Sequence, residues 1–104
     1  YTTMLIWTEQ AKLDVINFIN NSFSKSNEKK YFTNLNSFLE NLNLTPNLGK
    51  TIHVNYDNSV IKQLIYKKHK IFYLIKDSNI YILKIISNKM DFNSIIKLLA
   101  EFLD

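Results

Sequence analysis

Cysteine does not occur in this chain of 104 residues, so disulfides and thiolate metal sites are excluded. Long hydrophobic runs are missing as well. The longest uninterrupted apolar stretch, residues 71–75, has five residues, whereas a membrane-spanning helix needs roughly 20. The opening segment YTTMLIW lacks the basic start of a signal peptide. These absences lead us to expect a cytoplasmic protein with no membrane partner.

Arginine is also absent, and all the basic charge comes from 13 lysines. They occur with 14 asparagines and 14 isoleucines, a bias typical of AT-rich coding sequence. The net charge of +4 is distributed unevenly. Residues 50–89 hold eight lysines and two acidic residues, while the segment before them is neutral and the segment after them is acidic. A positive central region of this kind indicates a nucleic acid or an acidic protein as partner.

The only proline and the only glycine, Pro46 and Gly49, separate a helical half of the chain from a strand-rich half. Before them, apolar residues at helical spacing predict two helices. Thr8 can cap the first helix, which should run from Glu9 to about residue 20 or 21. The second helix is indicated by an apolar stripe from Tyr31 to Leu42. The segment between the two stripes is polar.

After the glycine, three runs rich in isoleucine, tyrosine, phenylalanine and leucine predict strands at residues 60–66, 70–76 and 80–87. Short polar turns separate them, which is typical of an antiparallel meander. Residues 50–59 show only a weak pattern. A last helix is predicted to begin near residues 91–93 and to bury apolar residues up to Leu103.

The predicted order β-α-α-β-β-β-α is typical of an α+β fold. We expect one domain over residues 1–104, in which an N-terminal strand and a helical hairpin (residues 9–43) pack on a small antiparallel β-sheet. In strand 70–76, alternate residues point to opposite faces, and both faces are apolar at their centres. The C-terminal helix or a partner chain should therefore cover the face that the hairpin leaves open.

Two charged residues interrupt the apolar patterns. Lys84 lies between Leu83 and Ile85 in a central strand. Because a buried ammonium without a partner is costly, Lys84 should either meet an acidic residue or reach water across the open face. Asp14 on the first helix is predicted to be a solvated or a paired charge.

Four short segments carry a resemblance to known proteins: WTEQAKLDVINFI (7–19), LTPNLGK (44–50), HKIFYLI (69–75) and IISNKMD (85–91). In their order and spacing they resemble the RelE/ParE superfamily of bacterial toxins, most closely its ParE branch. The resemblance implies the toxin of a type II toxin–antitoxin pair that inhibits growth and serves plasmid stabilisation. It also implies a cognate antitoxin that holds the toxin inactive in a hetero-oligomer.

The residues that match the family pattern are Trp7, Ala11 and Asp14 in the first helix, Pro46 and Gly49 in the loop, Lys62 at a basic position, His69, Ile71, Phe72 and Tyr73 in the core strand, and Lys89, Met90 and Asp91 in the closing motif. There are two departures from that pattern. Ser87 stands where the family often has histidine, and each family arginine is a lysine here. Lysine keeps the charge but loses the planar fork with which arginine binds phosphate in a bidentate manner.

The resemblance leaves two targets open. RelE-type toxins cut messenger RNA on the ribosome, whereas ParE-type toxins poison DNA gyrase without a catalytic site of their own. RNA cleavage needs a base, an acid and a charge stabiliser within hydrogen-bond reach. No tyrosine or histidine follows Lys89, and no acidic residue is obviously paired with His53 or His69. The residues thus favour an inhibitor that acts by binding.

We interpret the chain as a ParE-like inhibitor of DNA gyrase whose contact surfaces are the helical hairpin and the basic margin of the sheet. The predicted partner-binding residues are Lys62, Lys84, Lys89, Met90 and Asp91. No cofactor or metal is expected, because the sequence has neither a glycine-rich phosphate loop nor a metal-ligand cluster.

Two alternatives stay open at this point. In the first, the chain is a RelE-like, ribosome-dependent messenger-RNA endoribonuclease. Its catalytic candidates are Lys62, Lys70 and Lys89, which would hold the scissile phosphate, and His53 or His69, which would move a proton. In the second, the chain is a non-toxic interaction domain of the same fold.

Overall fold

The computed structural model describes residues 3–103. Its elements, in chain order, are β1 (Leu5–Trp7), α1 (Glu9–Asn20), α2 (Lys25–Leu39), a 3-10 turn (Glu40–Asn43), β2 (Lys50–Val54), β3 (Val60–Tyr66), β4 (His69–Lys76), β5 (Asn79–Ser87), α3 (Phe92–Leu99) and a second 3-10 turn (Ala100–Phe102). The α+β class predicted from the sequence is confirmed. Within the described residues, no helix is long and apolar enough to cross a membrane.

The five strands form one sheet in the order β1-β5-β4-β3-β2. β1 runs parallel to β5, and the other neighbours are antiparallel. The sheet is therefore mixed, whereas a purely antiparallel sheet was expected. The meander from β3 to β5 is confirmed, with a bulge between β4 and β5 beside Phe72 and Tyr73.

Two segments differ from the prediction: one strand was missed, and one helix begins earlier than expected. β2 was missed because it is an edge strand with exposed residues at Lys50 and Thr51 and a register shift before His53, so it shows no regular alternation. α2 begins at Lys25, well before the apolar stripe at Tyr31. Its first turns project mostly polar side chains into solvent, so hydrophobic periodicity could not reveal them.

Thr8 caps α1 as predicted, and its side-chain oxygen accepts a hydrogen bond from the amide of Ala11 at 3.3 Å. The hairpin of α1 and α2 packs on one face of the sheet. The core between them includes Ala11, Phe32, Leu35, Leu39, Leu64, Ile71, Tyr73, Ile82 and Ile85. Burial of these apolar side chains supplies most of the stabilisation of this layer.

The opposite face of the sheet has its own smaller core. Ile95 and Leu99 of α3 pack on Phe72 and Ile86, and Ile52, Met90, Phe102 and Leu103 surround them. The C-terminal helix therefore covers the face that the hairpin leaves open, as the apolar pattern of β4 predicted. Asp91 caps α3, and its carboxylate accepts a hydrogen bond from the amide of Ser94 at 2.8 Å.

Candidate functional site

The edge of β5 is where α1 meets the sheet. β1 pairs with β5 only up to Ile82, so within residues 3–103 no strand lies beside the following residues of β5 on that side. Thr8 lies at the end of this pairing, where its hydroxyl donates a hydrogen bond to the carbonyl of Ile82 at 2.7 Å. α1 then runs along the free edge, where its side chains can reach the backbone of β5.

Asp14 makes the central contact along this edge. One carboxylate oxygen accepts from the ammonium of Lys84 at 2.9 Å and from the amide of Gln10 at 3.1 Å. The other accepts from the backbone amide of Ile85 at 3.1 Å. Asp14 is buried and Lys84 is nearly so, which makes the pair stronger than an exposed one. Of the two possibilities considered for Lys84, the structure shows the pairing with an acid.

His69 begins β4 and lies in an aromatic enclosure under the helical hairpin. Its ring is 5% exposed and contacts Phe18 edge-on, with 4.6 Å between ring centroids. The hydroxyl of Tyr31 lies 2.9 Å from Nδ1. Burial lowers the pKa of His69 below its ordinary value, and the positive charge of Lys68 adds to this effect, while Glu28 opposes it. The neutral imidazole is therefore favoured.

Two depressions meet beside the C-terminal half of α1. The first, called the α1–β5 groove, has a volume of about 320 Å³ and is lined mainly by Phe18, Ile85, Ile86, Met90 and Leu98, with the Asp14–Lys84 pair at its side. The second, called the basic groove, has a volume of about 550 Å³ and is lined by Phe18, Asn21, Ser22, Phe23, Glu28, Lys68, His69, Ser87, Asn88 and Lys89. Three shared lining residues, Phe18, Asn21 and Ser87, make the two grooves continuous.

A third depression lies on the outer side of the helical hairpin. This helical groove has a volume of about 630 Å³. Its walls are apolar side chains of α1 and α2, with Trp7 at one end, and its polar lining comes from Lys12, Lys29, Thr33 and Asn36. Leu13 and Ile16, both about half exposed, add to the apolar surface of α1. A continuous apolar surface with basic margins is typical of a protein-binding site.

Lys62 lies in a different part of the molecule. It is 7% exposed, and its ammonium donates to the hydroxyl of Thr51 at 2.6 Å and to the carbonyl of Gly49 at 3.5 Å. The hydroxyl of Tyr73 joins the same loop, since it donates to the carbonyl of Pro46 at 2.8 Å and accepts from the amide of Gly49 at 2.9 Å. Lys62 thus holds the loop before β2 against the sheet.

The structure brings four of the predicted site residues to the connected grooves: His69, Lys84, Lys89 and Met90. Asp91 follows directly and serves as the cap of α3. The remaining candidates lie elsewhere. His53 is in the edge strand β2, and Lys70 pairs with Ile65 and Ile86 on the face that α3 covers.

The three lysines proposed to hold a phosphate do not converge. Lys62 lies opposite Tyr73, on the face under the hairpin, whereas Lys70 shares the other face with Phe72. Lys89 follows the end of β5, beside His69. Tyr73 lies four residues beyond His69 in β4, about 13 Å along the strand. The sheet therefore separates Lys70 from Lys62, and the length of β4 separates Lys62 from Lys89.

Two aromatic residues in the basic groove or against its lining residues were not recognised as site residues in the sequence. Tyr31 was assigned to the core stripe of α2, but its hydroxyl also reaches His69 and the carbonyl of Tyr66. Phe23 was overlooked in a polar segment, yet its side chain is fully exposed at the rim of the basic groove. A single phenylalanine among serines, asparagines and lysines was the available signal. In the part of the chain that the structure describes, no cluster of three metal-ligating residues occurs.

Comparison with protein-family models matches residues 5–92 to the family described as "ParE toxin of type II toxin-antitoxin system, parDE". The chain belongs to this family. A search of curated proteins finds no match. The matched range runs from β1 to the start of α3, so it includes the helical hairpin, the whole sheet and nearly all residues that line the three grooves.

Membership of the ParE toxin family makes this chain the toxin component of a type II toxin–antitoxin system. It confirms the superfamily inferred from the four sequence segments, including the ParE branch. A toxin of this type has an antitoxin as its partner, and the family therefore implies a protein-binding surface on this chain.

Proposed function

We propose that this ParE-family toxin inhibits DNA gyrase, and thereby replication, and that a cognate antitoxin neutralises it by direct binding. The observation that carries the proposal is the match of residues 5–92 to the ParE toxin family. The match includes all five strands and the helical hairpin, which are the elements that form the candidate surfaces.

The arrangement of the basic residues supports inhibition by binding over RNA cleavage. General acid–base catalysis needs its groups within hydrogen-bond reach of one substrate. Lys62 and Lys70 emerge on opposite faces of the sheet, and Lys62 already binds Thr51 and Gly49. His69 is enclosed by aromatic rings, and its Nδ1 faces the hydroxyl of Tyr31. These contacts stabilise the fold, and among the described residues Lys62, Lys70 and His69 do not come together as one base and phosphate clamp.

The helical groove is the surface that best fits the antitoxin. It combines apolar walls with the two lysines Lys12 and Lys29 at its margin. An amphipathic segment with acidic residues beside its apolar face would bury the half-exposed Ile16 and place carboxylates near both ammonium groups. Helix-in-groove binding of this kind gains most of its free energy from the buried apolar side chains.

The first test is to induce the toxin alone in cells and to follow incorporation of labelled thymidine and labelled methionine. The proposal predicts that DNA synthesis falls first while translation continues. An early stop of translation would instead favour the ribosome-dependent ribonuclease. If neither process slows, the chain is a non-toxic interaction domain, and the proposal is wrong.

The second test uses purified gyrase in a DNA supercoiling assay. The wild-type toxin should inhibit supercoiling, and its antitoxin should relieve the inhibition. Lys89→Gln removes an exposed charge from the predicted contact surface, and Lys50→Gln removes an exposed charge at the start of the opposite edge strand β2. Loss of inhibition by the first variant only would place the gyrase contact beside Lys89.

A further inference from the structure

The basic groove is formed by two loops that the fold joins side by side. The turn between β3 and β4 contributes Lys68, and the segment after β5 contributes Lys89. The amide of Asn88 donates to the carbonyl of Lys68 at 2.8 Å, which holds the loops together. Lys67 extends the same positive rim, and its ammonium lies 5.4 Å from the centre of the Tyr66 ring. Positive charge from distant parts of the sequence is thus concentrated on one rim.

One acidic residue lines the groove within the described part of the chain. Glu28 of α2 accepts from the ammonium of Lys68 at 3.3 Å. The ammonium of Lys68 also lies 4.9 Å from the centre of the Tyr31 ring. Lys89 is exposed on the same rim. The free toxin therefore offers a cationic rim with a single opposing carboxylate.

Aromatic side chains form the other wall. Phe18 is half-buried and holds its ring against His69. Phe23, in the turn between α1 and α2, is the most exposed of the large apolar side chains in the described residues. Folding gains nothing from an aromatic ring left wholly in water. A ring in this position, in the lining of a groove that also includes two lysines, buries its surface only when a ligand covers it.

Polar side chains also line the groove. Asn21, Ser22, Ser87 and Asn88 contribute amide and hydroxyl groups to it. Such groups can both donate and accept hydrogen bonds, as the edges of nucleobases require. The volume of about 550 Å³ is within the range of sites that hold a small organic ligand.

We propose that the basic groove binds single-stranded nucleic acid, with Lys68 and Lys89 at successive phosphates and a base stacked on Phe23. A cationic track beside an exposed aromatic platform is the arrangement that single-strand-binding surfaces use. An acidic peptide would satisfy the lysines equally well, but it would make no particular use of an exposed flat ring in a groove that also offers amide and hydroxyl groups. This binding activity is separate from the inhibition of gyrase and does not depend on it.

The test measures fluorescence anisotropy of a labelled oligothymidylate of about 12 nucleotides with the purified full-length toxin, in the absence of gyrase and antitoxin. The wild type should bind, and the logarithm of its affinity should fall linearly with the logarithm of salt concentration. Lys89→Gln should weaken binding and reduce the steepness of that slope by about 0.7. Lys50→Gln, the matched control at the far edge of the sheet, should behave as the wild type does.

Substitutions of Phe23 distinguish the contribution of base stacking from that of apolar burial. Phe23→Leu keeps an apolar side chain but removes the ring, and it should weaken binding about five-fold or more, whereas Phe23→Trp should retain it. Because Phe23 is fully exposed, neither change should alter folding, which circular dichroism will check. Glu28→Gln should tighten binding about two- to five-fold, since it releases Lys68 and removes the one repulsive charge.

Three outcomes would overturn the proposal. The first is no binding by the wild type at low salt. The second is an equal loss for Lys89→Gln and Lys50→Gln, which would indicate attraction by net charge alone. The third is an unchanged affinity of Phe23→Leu together with tighter binding of a labelled oligoglutamate, which would make the groove a site for an acidic peptide. An absence of gyrase inhibition would not change the anisotropy result. The two experiments therefore test the two proposals independently.

Discussion

Asp14 and Lys84 are 70 residues apart in the chain, yet their carboxylate and ammonium lie 2.9 Å from each other at the edge of the sheet. The same carboxylate accepts from the amide of Ile85, so it satisfies a backbone donor that no neighbouring strand can reach. The pair therefore joins the helical hairpin to β5. It also forms one side of the α1–β5 groove, so the shape of the candidate site depends on it.

Asp14→Ala should destabilise the protein by about 3 kcal/mol, because it leaves the ammonium of Lys84 and the amide of Ile85 without their partner. Urea unfolding followed by circular dichroism measures the change. Glu9→Gln is the control, since the Glu9–Lys12 pair is exposed and should contribute less than about 1 kcal/mol. Equal stabilities of the two variants would show that the edge of β5 does not need the carboxylate.

Gly49→Ala should disrupt the loop before β2. A Cβ atom at this position would lie 2.7 Å from the carbonyl oxygen of Gln63 and 2.8 Å from the hydroxyl of Tyr73, so the loop must move. We expect a loss of about 1–3 kcal/mol and faster hydrogen exchange of the Gly49 region. Tyr73→Phe keeps the ring but removes the hydroxyl, and it should cost about 1–2 kcal/mol. A Gly49→Ala protein as stable as the wild type would contradict the close packing of this loop.

The burial of His69 predicts a pH-dependent stability. Its pKa in the folded state is lowered from 6.5, chiefly by burial, so the unfolded chain binds more protons than the folded chain just below that pH. The free energy of unfolding should therefore rise with pH between the folded-state pKa and about 6.5, and level off above it. Stability is lost as the pH falls below about 6.5.

The control for this effect removes the histidine itself. Urea unfolding at a series of pH values should show the rise in the wild type and a flatter profile in His69→Gln. The same dependence in His69→Gln would assign the titration to a different group.

The proposed antitoxin surface can be tested without knowing the gyrase contact. Ile16→Asp places a charge in the apolar wall of the helical groove, where it should weaken antitoxin binding at least about ten-fold. Ile65→Asp is the control because Ile65 has a similar exposure, 53% against 49%, but lies in β3. Isothermal titration with the antitoxin measures both. If only Ile65→Asp impairs binding, the antitoxin lies on the sheet and not on the hairpin.

Much of the fold was predictable because it follows from local periodicity. Runs rich in isoleucine, tyrosine, phenylalanine and leucine at residues 60–66, 70–76 and 80–87, separated by short polar turns, predicted three strands that the structure confirms within one residue. The Thr8 cap, the end of α1 and the start of α3 were predicted in the same way. The two apolar faces of β4 also predicted that something must cover the second face, and α3 does so.

The predictions that failed concern segments without a periodic pattern. β2 is a strand because β3 offers it an unpaired edge, although its own residues show little alternation. The first turns of α2 are helical although they bury little. The burial of Lys62 could not be predicted from its alternation with apolar neighbours, because the loop that covers it comes from a different part of the chain.

The sequence by itself determined the α+β class, the order of most elements, the ParE-type motifs and the excess of positive charge in the central region, because these are local or compositional properties. The tertiary structure decided which charges meet. It paired Lys84 with Asp14, enclosed His69 in aromatic rings, buried Lys62 under a loop, and brought Lys89 and Phe23 to one groove. Those relations depend on strand register and helix packing between residues far apart in the chain, which side-chain periodicity does not encode.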